Sequence, residues 1–131
     1  LKLFTSFIII SSVLKDISKG ISYFNNADFF TAHDLFEELW VESSREDRRF
    51  FQGLVQVSVG CYHLASGNYR GALNQLTKGI QKLNEYLPSY YNIDLTDLSY
   101  KIDLLILELN KYFSDNNYII DIGRIPIIKV N

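Results

Sequence analysis

An all-α fold, a bundle of about five helices with an extended C-terminal tail, is what this sequence predicts, and three observations carry the prediction. Apolar residues recur at three- and four-residue spacing along most of the chain, the period of helices buried on one stripe. The breaks between these stretches, "NNAD", "SSRED", "SGN", "LPSYYNID" and "SDNN", have the chemistry of turns and helix caps. Only the last stretch, "YIIDIGRIPIIKVN", loses the helical spacing. At 131 residues, nearly half of them apolar, the chain reads as one domain over residues 1–131, with a core at about 22–113 and a tail at about 118–131.

The opening "LKLFTSFIIISSVL" has the composition of a signal-peptide core but is too short to span a bilayer. Its spacing runs on through "KDISKGISYF" and places Ile10, Val13, Leu14, Ile17, Ile21 and Phe24 on one buried stripe, so a first structural helix is expected. Asp28 caps a second helix that runs to about Ser43. A third begins near Arg45 and stops at Gly67-Asn68, where a glycine terminus meets a new cap. The fourth, from Tyr69, carries Ala72, Leu73, Leu76, Ile80, Leu83 and Leu87 inward and ends at Pro88.

Asp94 caps the fifth, with Leu95, Leu98, Ile102, Leu105 and Leu109 inward and Lys101, Glu108 and Lys111 outward. The isoleucine-rich tail, with Pro126, is read as extended chain laid over the bundle. A weak internal repeat matches Phe29 with Tyr69, Ala32 with Ala72 and Phe36 with Leu76 at a constant offset. It resembles tetratricopeptide-type hairpins, although antiparallel helix pairs in general place small residues where they cross.

Charge excludes little but directs the reading. Thirteen Lys and Arg against fifteen Asp and Glu leave a net charge of −2, so no nucleic-acid partner is expected. The single cysteine, Cys61, lies in an apolar helical pattern and fits a reducing compartment. There is no phosphate-cradling glycine loop, nucleophile elbow or paired-cysteine motif, and no cofactor is expected.

The polar residues that stand out lie on the second and third helices. His33 and Glu37 are four residues apart, hence stacked on one helix face, with His33 falling inside an apolar arc beside Trp40. Asp34, Glu38 and Glu42 fall on the opposite, solvent-facing side. On the third helix Arg45, Arg49, Gln52, Gln56 and His63 share one stripe, flanked by Gly53 and Gly60, whose missing side chains admit a close neighbour, expected to be the second helix. The pairing predicts a buried cluster of His33, Glu37, Gln52, Gln56 and His63 between the two helices. Arg48 or Arg49 is expected to pair with Glu37 or Glu42.

Three chemistries share these residues. Hydrogen bonding that fixes the helix register is the favoured one. A metal, not favoured, would take His33, Glu37 and His63 as two histidines and one carboxylate. A general base at His33, oriented by Glu37, would act on a small polar ligand.

"FNNADFFTAHDLFEELW" followed by "DRRFFQGLVQVSVGCYHLASGNYRGALNQLTKGIQKL" resembles the domain-of-unknown-function 309 family, small all-helical proteins of bacteria, archaea and plastids. The likeness is carried by His33, Asp34, Glu37 and Trp40, and by Arg48, Gln52, Gly53, Leu54, Gln56, Tyr62, His63, Gly67, Asn68, Gly71 and Ala72. It covers roughly residues 22–110 and implies the helical fold, but no activity. A bacterial cytoplasm or a plastid stroma is the expected location. The expected function is an accessory protein whose apolar tail or grooves engage a protein partner, with a small-ligand or metal-dependent enzyme as the alternative.

Overall fold

The computed structural model describes residues 2–131, so the first residue of the predicted domain and of its apolar opening lies outside the described residues. These form five α-helices: α1 (Lys2–Asn25), α2 (Phe29–Glu42), α3 (Arg48–Ala65), α4 (Tyr69–Leu83) and α5 (Leu95–Ser114). A 3₁₀ turn at Asn84–Tyr86 and a two-stranded antiparallel hairpin, β1 (Ser89–Tyr90) and β2 (Ile93–Asp94), join α4 to α5. Each helix packs on the next in chain order. The helix starts follow from capping: Asp28, Asn68 and Asp94 accept from the backbone N–H of Thr31, Gly71 and Asp97. The third helix starts at Arg48, later than the predicted Arg45, because residues 45–47 form a turn.

The repeat is deeper than its sequence signal. Forty positions separate Asp28 from Asn68, and the pairs Phe29/Tyr69, Ala32/Ala72 and Phe36/Leu76 occupy corresponding places in α2 and α4. The correspondence extends back into α1 and α3. A Cβ on Gly20 would lie 2.5 Å from the Phe36 ring, and one on Gly60 2.7 Å from the Leu76 side chain. Buried Ile17 and Phe24 likewise answer to buried Val57 and Leu64. The molecule is therefore two similar helical hairpins, α1–α2 and α3–α4, with α5 against the second.

Three predicted faces differ in the structure. The buried stripe of α1 holds for Ile17, Ile21 and Phe24, whereas Ile10 and Leu14 are exposed, because α2 is 14 residues long and α1 is 24, so α1 projects past its partner. Gly53 and Gly60 face α4, not α2: their missing methyl groups make room for Leu83, Leu76 and the Gly79 carbonyl. On α5 the predicted inward residues are all buried, but Glu108 is buried with them. It accepts a hydrogen bond from Tyr118 and pairs with Arg124 at 3.6 Å, so it fastens the tail to α5.

The fourth helix also stops earlier than Pro88, and Leu87 is exposed beyond the 3₁₀ turn. The tail runs over the bundle as expected, with Ile120, Pro126 and Ile128 buried, a 3₁₀ turn at Ile122–Arg124, and Val130 bridged to Ile93. The hairpin escaped the helical reading. Tyr91 and Asn92 at its tip have positive φ (45° and 63°), as a two-residue hairpin turn of the primed class requires.

Candidate functional site

His33 projects from the middle of α2 and keeps 21% of its side chain exposed, so it sits at the rim of the core and not inside it. Its Nδ1 lies 3.0 Å from the Phe30 carbonyl oxygen, which only accepts, so Nδ1–H donates there. Asp34 Oδ1 is 3.3 Å from the same nitrogen. Nε2 meets Glu37 Oε2 at 3.1 Å, one helical turn on. Both ring nitrogens are thus engaged by residues of α2 itself.

Among the described residues, His33, Asp34 and Glu37 form a group whose ligand atoms lie within 4.8 Å of one another. This departs from the predicted set in one member: Asp34, set aside as solvent-facing, replaces His63. Asp34 and Glu37 address opposite nitrogens of the ring, so an ion held by Nε2 and Glu37 would draw Asp34 only after a side-chain rearrangement. Asp34, Glu37, Glu38 and Glu42 together form an open acidic face on α2.

His63 lies across a shallow groove from His33. The groove has a volume of about 180 Å³ and is lined by Phe29, Phe30, His33, Val59, Tyr62 and His63. Phe30 bridges it, with its ring 5.4 Å from His33 and 5.8 Å from Tyr62. His63 Nδ1 is 3.4 Å from Asn68 Nδ2, the residue that also caps α4.

Gln52 and Gln56 do not join the histidines. The stripe they share with Arg49 turns towards α4, where Gln56 Oε1 accepts from Lys82 Nζ at 2.8 Å. Arg49 makes a forked ion pair with Glu85, with Nε 2.9 Å from both carboxylate oxygens and Nη2 2.6 Å from one, in place of the predicted pairing with Glu37 or Glu42. That hydrogen bond holds the Glu85 carboxyl below its ordinary range, while burial, with Arg49 and Lys78 nearby, lowers Lys82. The reason for the split is geometric: α3 is flanked by α2 and α4, and its polar stripe faces the second. Arg48 is exposed at the first turn of α3. Trp40 is half-buried against the core, and its carbonyl accepts from Ser43 Oγ at 2.7 Å, where α2 ends.

One polar hub escaped the sequence reading. Asp47, the residue before α3, accepts the Tyr90 hydroxyl at 2.5 Å on one oxygen and the Tyr91 hydroxyl on the other. These tyrosines cluster with Phe50, Phe51 and Tyr86 in edge and stacked contacts. Hydrogen bonding to Asp47, with burial, pushes the Tyr90 phenol up to about 12, and burial with the same carboxylate pushes Tyr91 higher. The "SYYN" tip was the available signal, but its partner lies more than forty residues earlier in the chain.

Cys61 is buried, and burial alone pushes its thiol up, which makes it a core residue. No helix of the described residues is long and apolar enough to cross a membrane. No curated protein matches the chain. Residues 17–75, from the buried half of α1 to the middle of α4, match the family described as Domain of unknown function (DUF309).

Proposed function

We propose that the protein is an interaction module whose docking surface is the projecting half of α1. The observation that carries this reading is the exposure of Leu3, Phe4, Phe7, Ile8, Ile9 and Ile10 on one helix arm, each more than half exposed. Large contiguous apolar surface of this kind marks contact with protein or membrane. The tail, expected to share that role, divides its apolar residues: Ile120, Pro126 and Ile128 are buried on the bundle, whereas Ile119, Ile122, Ile127 and Val130 stay more than half exposed. The enzyme reading on His33, Glu37 and His63 has less support, because His33 offers no unengaged nitrogen to a substrate and His63 stands outside its carboxylate group.

A photoreactive residue at position 8, introduced in cells of the source organism, tests the proposal. Irradiation should give a protein adduct that Phe7→Asp abolishes, and the same probe at Asp103, on the exposed side of α5, should give none. Equal labelling from both positions, or no adduct from position 8, would sink the reading.

A further inference from the structure

The apolar arm is a face left bare among the described residues, and its own chain shows what such a face requires. In the second hairpin, the residues forty positions on from Ile10 and Leu14 are Phe50 and Leu54, at 0% and 1% exposure. Ile10 and Leu14 themselves are 53% and 38% exposed. The same face of equivalent helices is therefore buried in one repeat and bare in the other. Stacked repeats bury a continuous core through their neighbours, and a terminal face stays soluble only with a polar cap or a partner. Between residues 3 and 14 the chain has no charged side chain.

The seam along α1 is also continuous. Leu3, Phe7, Ile10, Leu14, Ile17, Ile21 and Phe24 alternate four- and three-residue steps, the spacing at which helices pack along their length. The last three are buried in the bundle, and the first four extend the same seam beyond it.

We infer that the occupant is a second copy of this chain, paired about a two-fold axis so that each arm lies along the other. Three features favour this partner. A groove of about 370 Å³ opens at the base of the arm, between Ile9, Ile10 and Val13 on α1 and Leu39, Phe51 and Tyr91 on the body. Ser12, Ser43 and Ser44 also line this groove, so it has apolar walls with polar groups between them, and a two-fold pairing lays each arm along the base of the other, whereas a head-to-tail contact leaves one arm bare. Second, an uncharged arm meets its own copy without like-charge repulsion. The groove rim, by contrast, carries Asp16, Glu42 and Asp47, which oppose seating on an anionic membrane. Third, seven large apolar side chains on the arm, among the described residues, are more than a third exposed. Four of them, Leu3, Phe7, Ile10 and Leu14, lie on the seam itself and would leave water together on pairing.

This inference rests on the interaction reading above, and the two can fail separately. Sedimentation of the full chain over a wide concentration range should show a reversible dimer. Ile10→Glu and Phe7→Glu should each weaken it by at least about tenfold, since the seam would have to desolvate an unpaired charge. Both positions are exposed in the single chain, so unfolding curves recorded at concentrations where the chain is monomeric should stay unchanged, and Leu107→Glu on the outer face of α5 should leave the dimer intact. A monomer at every concentration overturns the inference, as does a dimer indifferent to both substitutions. A monomer that floats with phosphatidylcholine vesicles through the arm assigns the surface to lipid. A monomer whose position-8 adduct to another protein persists overturns self-pairing and leaves the interaction reading standing.

Discussion

A methyl group on Gly79 would sit 2.9 Å from the backbone nitrogen of Val57 and 3.0 Å from the Gly53 carbonyl oxygen. Unlike a flexible side chain, neither atom can move aside without displacing a helix. Gly79→Ala is therefore expected to lower the unfolding free energy by about 1–2 kcal/mol, overpacking outweighing the roughly 1 kcal/mol that alanine adds to helix propensity. Urea unfolding checks it, and an unchanged or raised midpoint would show that α3 and α4 do not approach this closely. The glycines of α3 announced a close neighbour in the sequence, but not which one. Both α2 and α4 are antiparallel partners joined by short turns, and that ambiguity misplaced Gln52 and Gln56. His33 was misjudged differently: a helical wheel gives its direction on α2, but not how far α3 extends to cover it.

The elements themselves were legible because their ends are chemical: Asp28, Asn68 and Asp94 cap the helices they were expected to cap. The hairpin was not legible, since its stability comes from Asp47 and the aromatic cluster and not from local pattern. Asp47 forms no side-chain cap on α3 and receives both phenols instead. A phenol held above its unfolded value near 10 stabilises the fold fully below that pH. The stabilisation is lost as pH rises through the folded value, about 12 for Tyr90. Between about pH 10 and 12 the folded chain binds more protons than the unfolded one, so stability should fall steadily across that window. The ultraviolet titration of tyrosinate should show Tyr90 and Tyr91 among the late phenols, with Tyr86 and Tyr118 also raised, and Asp47→Asn should shift Tyr90 and Tyr91 down. Titration of every tyrosine near 10 in the folded protein would refute the arrangement.

At the scale of the whole molecule, the tail fastens three elements at once. The Asn25 amide, at the end of α1, donates to the Ile128 carbonyl at 3.0 Å and accepts from the Ile128 N–H at 2.7 Å, as a strand neighbour would. Asp94 N–H donates to the Lys129 carbonyl at 2.9 Å, and Glu108 holds the stretch before it. Asn25→Ala should cost about 1–3 kcal/mol locally by leaving both backbone groups of Ile128 without a partner. Hydrogen exchange at that amide should accelerate and tryptic cleavage after Arg124 should appear, while the helices stay protected. Unchanged exchange at Ile128 would show that the clasp contributes nothing.

That clasp also orders events in time. The hairpins α1–α2 and α3–α4 close over turns of a few residues, whereas Asn25 meets Ile128 across 103 positions. Joining such distant points carries a larger loop-closure cost, and it is met only when the intervening helices have already shortened the path. The tail therefore docks last, onto a preformed bundle, and it is the first element to lift away when the fold begins to loosen.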